Sequence, residues 1–387
     1  MKGSPTPLIS DIVLVGGGHA HVHILKMLGM PPLKSVVEEN GIQVTLISST
    51  ILTPYSGMLP GFVAGHYTED EIHLDLRKLC SFSGIRFIHA AATGITYTNG
   101  GGGWVMCSDG RPNVRYDTLS IDVGSSPSIP SELLQSDDAT RTRSQHDVNY
   151  NNETVTPVKP ISAFSQRWTG ICHRLKNNPV DTYSSKRPFV LVVVGAGAGG
   201  IELAMGAQYA LQNILEAKSS SVHDPDSIKI ILVARGTDLL PSHNKGVREI
   251  FSRILKERKI EVRYGADACG VENHDHEGLP PKSLKLSPES SSHDQPLIYF
   301  DECLWCTSAG ASSWLSDNTP FDTTDSGFVK VKDTYECVSH PGVFSAGDCC
   351  HMVDNPRPKG KFMCWYINAY NEHAFYDILK WLLNTTL

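Results

Sequence analysis

Apolar positions near the start of the chain change spacing twice. Ile12-Val13-Leu14-Val15 is an unbroken, mostly β-branched run, the pattern of a strand buried on both faces of a parallel sheet. Val22, Leu25 and Leu28 then recur at helical spacing, with Gly29 as a stop signal, and Val44-Thr45-Leu46-Ile47 reads as a second strand. Between the first strand and the helix stands Gly16-Gly17-Gly18-His19-Ala20-His21. The same order returns further along. Val190 to Val194 leads into Gly195-Ala196-Gly197-Ala198-Gly199-Gly200, then a helix carrying Ile201, Leu203 and Ala204, then a strand from Ile228 to Val233.

A strand, a glycine turn and a helix in that order form a site for a dinucleotide. The chain must turn sharply, let its backbone approach a pyrophosphate, and aim N–H groups at it from a helix N-terminus. The second unit has the full spacing, with Gly195, Gly197 and Gly200. The first departs from it, because His21 fills the third glycine position and Ser48 stands where a ribose-binding acid is expected. A larger residue at that third position predicts a slightly displaced helix. The strand ending at Val233 is followed by Ala234 and Arg235, with no acid, which favours the 2′-phosphate of NADPH over NADH. Two such units in one chain imply two dinucleotides, and so a pair of cofactors passing electrons.

The remaining pattern divides the chain. Ile85 to His89 reads as a strand. Gly94 to Tyr97 and Trp104 to Met106 read as a hairpin, and Tyr116 to Val123 as a further strand ending at Gly124. Residues 128 to 157 and 272 to 296 are polar and read as loops. Val247, Ile250, Phe251, Ile254 and Leu255 mark an amphipathic helix, followed by a strand through Ile260, Val262 and Tyr264. Leu304 to Thr307, ending at Gly310, and Gly342 to Ala346, ending at Gly347-Asp348, read as buried strands.

Bulk properties narrow the class. The chain has 387 residues, 40% hydrophobic and 19% charged, enough for two or three domains with real cores. A net charge of -7 with scattered Lys and Arg argues against nucleic acid. The ten cysteines form no compact framework, so reduced thiols and a cytoplasmic setting are expected, with an organelle matrix as the alternative. The longest apolar run, Phe189 to Val194, is far below the roughly 18–20 residues of a membrane-spanning helix.

These motifs resemble the flavin-dependent pyridine nucleotide-disulfide oxidoreductase superfamily, and within it the module fused ahead of selenophosphate synthetase. The likeness covers about residues 11 to 360. It rests on Val13 to His19, Leu46-Ile47-Ser48, Tyr116 to Ser125, Lys159-Pro160-Ile161, the second glycine motif, Phe344 to Asp348, and above all Thr53-Pro54-Tyr55-Ser56-Gly57-Met58-Leu59-Pro60-Gly61. It implies an α/β fold with two Rossmann-like dinucleotide-binding domains, the NAD(P) domain (158–316) inserted into a split FAD domain (8–157 and 317–387). It implies FAD contacts from Gly16, Gly18, His19, Ala20, Ser48, Pro54, Gly124, Gly347 and Asp348, the last accepting hydrogen bonds from the ribityl chain. It implies NADPH or NADH contacts from Gly195, Gly197, Gly199, Gly200, Arg235 and Gly310. Glu202 falls where the superfamily places a carboxylate near the nicotinamide, and it reads equally as a first-turn glutamate favoured by the helix dipole.

Two departures shape the expected chemistry. No cysteine lies near Thr53 to Leu59, where the disulfide-bearing branch carries its redox pair. Cys303 and Cys306 would face opposite sides of a strand, and adjacent Cys349 and Cys350 are poorly placed for a disulfide. The resemblance therefore implies hydride passing from NAD(P)H to flavin and electrons passing on to a quinone or to a sulfur or selenium species. The second departure is the C-terminus. Phe375, Ile378, Leu379, Leu382 and Leu383 keep amphipathic spacing, which leaves packing on the domain and peripheral membrane contact both open. An altered tail also leaves open a catalytically weak flavoprotein that senses nucleotide. His19, His21 and His23 diverge on a helix, so no metal is expected.

Overall fold

The computed structural model describes residues 8–127, 155–177, 187–217, 226–273, 279–287, 297–307 and 309–356. The chain forms two compact units, one of residues 1–55, 73–126 and 309–387, the other of residues 56–72 and 127–308. The family resemblance puts the breaks near 157 and 316; the contacts put them at 126 and 308 and group 56–72 with the second unit. The expected loop at 128 to 157 lies mostly outside the described residues, and the C-terminal helical pattern lies wholly outside them.

The first unit begins with β1 (Ser10–Val15), α1 (His19–Leu28), β2 (Ile42–Ser48), α2 (Leu76–Ser83) and β3 (Arg86–His89). It continues through β4 (Ala92–Tyr97), β5 (Gly103–Cys107), β6 (Val114–Tyr116) and β7 (Thr118–Ile121). The expected single strand from Tyr116 to Val123 is thus two strands in two sheets. Asp117 breaks it by accepting the Asp11 N–H with its carboxylate and donating its own N–H to the Asp11 carbonyl. Strands β1, β2, β3 and β7 are parallel, and the alternation along β1 explains the layers. Ile12 and Leu14 pack with Leu25, Leu28, Leu76 and Cys80 of the helices. Val13 and Val15 pack with Ile95, Val105 and Tyr116 of the antiparallel β4–β5–β6 sheet.

The second unit repeats this plan. Its elements are β8 (Thr156–Pro157), α3 (Ile161–Asn177), β9 (Phe189–Val194), α4 (Ala198–Glu216), β10 (Ile228–Val233), α5 (Lys245–Glu257) and β11 (Glu261–Arg263). They are followed by β12 (Asp267–Asn273), β13 (Lys282–Ser287), β14 (Leu297–Phe300) and β15 (Glu302–Trp305). The parallel sheet runs β8–β15–β9–β10–β11. Leu191 and Val193 face Phe164, Trp168 and Leu211 of the helices, while Val190, Val192 and Val194 face Leu284, Leu286 and Phe300 of the antiparallel β12–β13–β14 sheet. Those strands correct the reading of 272 to 296 as loop: Leu284 and Leu286 alternate with polar residues, a half-buried strand masked by the polar stretches around it. Segment 56–72 supplies a short helix, Leu59–Val63, whose Leu59, Phe62 and Val63 enter the helical face of this core. The chain then returns to the first unit with β16 (Val343–Ser345), completing a parallel sheet of order β16–β7–β1–β2–β3.

A buried ion pair ties β9 to the loop before β15. Arg187 donates to both carboxylate oxygens of Asp301 at 2.9 and 2.8 Å, and Asp301 also accepts the Val190 N–H at 2.8 Å. The Asp301 side chain is only 8% exposed. Asp301→Ala removes all three bonds and takes the Asp301 carboxylate from a half-buried guanidinium that keeps its bond to the Pro188 carbonyl. It should lower unfolding free energy by about 3 kcal/mol, read as a drop in the urea midpoint with an unchanged slope.

Candidate dinucleotide sites at two sheet edges

In the first unit, β1, β7 and β16 end at the same carboxyl edge, and the turns that follow them meet. Gly16 has φ of +99°, and a β-carbon on it would lie 2.2 Å from the Asp122 carbonyl oxygen. A β-carbon on Gly18 would lie 2.2 Å from the Asp122 carboxylate, and one on Gly347, at φ +72°, would lie 2.4 Å from the same group. The backbone carbonyl of Asp122 therefore occupies the space that Gly16 vacates, and its carboxyl group the space left by Gly18 and Gly347. The carboxyl group accepts the Ala20 N–H at 2.9 Å and bonds the His21 N–H as well, capping α1 from another strand because Gly18 has no side chain to do so. Burial pushes this carboxyl up to about 7; the Ala20 and His21 amides pull it down and the charge of Asp348 adds to the rise.

His21 explains how the first turn works without its third glycine. The ring is fully buried, with Nδ1 2.7 Å from the Gly16 carbonyl and Nε2 2.9 Å from the Ser120 hydroxyl. A carbonyl can only accept, so Nδ1 carries the proton and Nε2 accepts from Ser120. Helix and strand are joined by hydrogen bonds where a glycine would let them touch. Burial lowers the imidazole to about 4 and keeps it neutral.

The other expected residues divide. His19 is half-buried against Tyr55, with ring centroids 4.5 Å apart, and burial lowers its imidazole below the ordinary value. Ser48 is buried near Gly17, but its hydroxyl donates to the Thr50 carbonyl at 2.9 Å and serves a local turn. Pro54 pairs with His73 in a small antiparallel ladder. Beside it Thr53, unforeseen from the sequence, donates to the Gly17 carbonyl at 2.6 Å and fixes the glycine turn. Gly124, at φ +69°, has open space where a β-carbon would be. Asp348 is half-buried, with the Ser125 hydroxyl donating to it at 3.4 Å. Asp122 is the main functional residue that pattern reading missed. Its signal was present, since a carboxylate between Ile121 and Val123 interrupts an apolar run at a strand's end.

The second unit shows the regular version. Gly195 has φ of +120°, and its β-carbon would lie 2.2 Å from the Cys306 carbonyl; a β-carbon on Gly200 would lie 1.8 Å from the Gly195 carbonyl. Gly197 caps α4 with extended backbone and no side-chain bond, and nothing lies within 4 Å of its would-be β-carbon. Leu240 donates to the Ala196 carbonyl at 3.1 Å and holds the turn from the following loop. A β-carbon on Gly199 would lie 3.6 Å from the Cys306 sulfur, a neighbour the sequence did not reveal, and burial pushes that thiol up to about 11. Glu202 is an exposed residue, and partial burial of its carboxyl raises it above the ordinary value. Arg235 is exposed one residue beyond Ala234, with no carboxylate partner among the described residues. Gly310 belongs to the first unit by its contacts.

Both edges fit a dinucleotide. Each presents a glycine turn that brings bare backbone to the surface at a helix head, and Gly124 and Gly197 leave open the volume a side chain would fill. No disulfide joins the nine described cysteines. No described helix is long and apolar enough to cross a membrane.

A model of the family described as "Pyridine nucleotide-disulphide oxidoreductase" matches residues 10–371. No curated protein matches the chain by sequence. Among solved structures, the putidaredoxin reductase–putidaredoxin complex is similar at a TM-score of 0.66 and 16% identity, covering 95% of this chain and 75% of that one. The NDH2 of Plasmodium falciparum in complex with NADH has a TM-score of 0.63 and 14% identity over 89% of this chain and 65% of that one. An NAD-dependent persulfide reductase from A. fulgidus has a TM-score of 0.63 and 15% identity over 94% of this chain and 57% of that one. The chain thus spans less than two thirds of the last two, and at these identities the likeness is one of fold.

His21 and Asp122 make opposite demands on pH. Between about 4 and 6.5 the unfolded chain binds a proton on His21 that the folded chain does not, so its contribution to stability is full above 6.5 and lost as pH falls to 4. Between about 4 and 7 the folded chain keeps a proton on Asp122 that the unfolded chain has released, so that contribution is lost as pH rises. Each amounts to roughly 3–4 kcal/mol, and in the wild type they largely cancel. Relative to wild type, Asp122→Asn should lose stability as pH falls from 7 to 5, and His21→Gln should lose it as pH rises over the same range. Urea midpoints at fixed flavin content check the signs; slopes of the same sign in both variants would overturn the assignment.

Proposed function

Because this chain belongs to the pyridine nucleotide-disulphide oxidoreductase family, and is by that membership an FAD-dependent NAD(P)H oxidoreductase, we propose that it delivers electrons to a small acceptor, a quinone or a sulfur or selenium species, without a redox-active disulfide. The observation that carries this reading is the pair of glycine turns, each at the carboxyl edge of its own parallel sheet. A single-cofactor enzyme needs only one.

On this reading the first unit holds FAD. Gly16 and Gly18 let the backbone approach the pyrophosphate, and Gly347 sets Asp348 at the strand end, where its carboxylate accepts hydrogen bonds from a polyol. Bound flavin would supply the hydride acceptor and electron carrier that the side chains lack. Asp122 holds the loops after β1, β7 and β16 in one arrangement. In the second unit, the head of α4 and the turn from Gly195 to Gly197 receive the nucleotide phosphates, Arg235 a 2′-phosphate, and Glu202 the nicotinamide end. The absence of cysteine near Thr53 to Leu59 supports a direct transfer to acceptor. The persulfide reductase and the NDH2 among the similar folds, and the likeness to a module fused to selenophosphate synthetase, support the acceptor classes named.

Anaerobic addition of NADPH should bleach the yellow protein, and an acceptor screen should restore the colour. Titration should stop at two electrons per flavin; uptake of four, abolished by changing Cys349 and Cys350, would overturn the disulfide-free mechanism. Asp348→Ala should purify with a reduced flavin-to-protein absorbance ratio, having lost an acceptor worth roughly 1.5–3 kcal/mol. Arg235→Ala should raise the KM for NADPH about tenfold and leave that for NADH nearly unchanged. Equal slowing with both nucleotides would remove Arg235 as the selector.

A further inference from the structure

The first unit carries a second polar cleft at the end of its sheet opposite the glycine turn. It has a volume of about 280 Å³ and lies between the parallel sheet and the β5–β6 hairpin. Its floor is set by register. Thr45 pairs with Val13 on one side and Arg86 on the other, so the three form a row on the face that packs against the antiparallel sheet. Arg86 opens β3, at the amino edge of the sheet. The opposite wall is Arg111, Asn113 and Arg115 of the hairpin. Asp109 and Gly110 both have positive φ, 61° and 65°, and the Arg111 N–H donates to the Ser108 carbonyl at 3.3 Å. That is the two-residue turn whose twist suits a hairpin, and it fixes where Arg111 leaves the loop.

The charges in this cleft do not balance. Arg115 is neutralised, pairing with Asp117 at 2.6 Å and with Asp11 at 3.6 Å. Arg86 and Arg111 have no carboxylate or hydrogen-bond partner for their side chains among the described residues, although both act electrostatically on the Cys107 thiol and so converge on one place. The Asn113 amide is likewise without a partner. Beneath them Thr45 is only 3% exposed, and its hydroxyl makes no hydrogen bond within the described chain. Arg86, Arg111, Asn113 and Thr45 line one small volume, with Asp11 beside them held by Arg115, and together they offer a donor set for an oxyanion. The cleft is smaller than the 300–1,000 Å³ usual for a cofactor or drug-sized ligand, and a dinucleotide does not fit it.

We propose that Thr45, Arg86, Arg111 and Asn113 form an anion site for a phosphate group, separate from both dinucleotide sites. The shared chemistry is the tetrahedral phosphate, and its source is either inorganic phosphate or a small phosphate monoester. The inference does not depend on the electron acceptor or on the direction of hydride transfer.

The test uses the full chain saturated with FAD and NADPH under anaerobic conditions, so that the glycine turns are filled. Inorganic phosphate and glycerol 3-phosphate are titrated separately by calorimetry at ionic strength held constant with KCl. One saturable site per chain is expected for at least one of them, and the tighter of the two identifies the source. Arg86→Gln and Arg111→Gln, both on exposed side chains, should each weaken that binding about tenfold. Thr45→Val should weaken it while leaving the ligand-free melting temperature unchanged or higher, because the hydroxyl it removes has no partner among the described residues. Flavin bleaching by NADPH should be the same in all three variants. Heats no larger than those of KCl, or binding that all three variants retain at wild-type strength, would overturn the site.

Discussion

A carbonyl oxygen standing where a β-carbon would otherwise be is the constraint from which both sheet edges follow. In the first unit it is the carbonyl of Asp122 against Gly16, and in the second that of Cys306 against Gly195, each at 2.2 Å from the would-be atom. Both carbonyls belong to the residue just past the strand that pairs with the glycine strand on the side away from β2 or β10. The turn must pass under this strand end before entering its helix. Only a residue without a side chain, at positive φ, makes that passage. Everything attached to the turn inherits the geometry: the helix head, the open volume beside it and the neighbouring strand ends.

Seen this way the two units are variants of one design that differ at two coupled positions. Where the second has Gly200 packed on the Gly195 carbonyl, the first has His21 donating to the Gly16 carbonyl. Where the second has Cys306, the first has Asp122, which caps the helix that His21 has joined to its strand. A buried imidazole and a buried carboxyl are both costly to charge. Here they lie on the same helix head with opposite titration behaviour.

How much of this was legible in the sequence depended on the range of the interaction. The parallel strands and the glycine turns showed in apolar runs and local spacing, because each is fixed by neighbouring residues, whereas the nested order came from the family resemblance. The strand at Lys282–Ser287 did not, since its apolar pair Leu284 and Leu286 is set in polar sequence and only the sheet opposite reveals its buried face. The break at Asp117 was hidden for a similar reason, its partner Asp11 lying in another strand. Thr53, Asp122 and Cys306 were missed because their roles lie in contacts with turns remote in sequence. For Ser48 and Gly310, expected at the cofactors, the folded chain adds a hydrogen bond from the first to the Thr50 carbonyl and membership of the first unit for the second.

The path of residues 56–72 bears on how the protein can be divided. The chain passes from one unit to the other at 55/56, 72/73, 126/127 and 308/309, so neither unit is a continuous stretch. A fragment of residues 127–308 would contain the whole second parallel sheet and its glycine turn. It would lack Leu59, Phe62, Val63 and Ile72, which lie buried in that unit's helical core. Each such side chain is worth roughly 1.5–3 kcal/mol when buried, and their loss would leave an apolar trough along α4, where Gly206 brings the helix within 2.9 Å of the Pro60 carbonyl for a β-carbon built there. The second unit is therefore encoded in two pieces. The smaller lies inside the sequence of the other half, where no cut between domains can recover it.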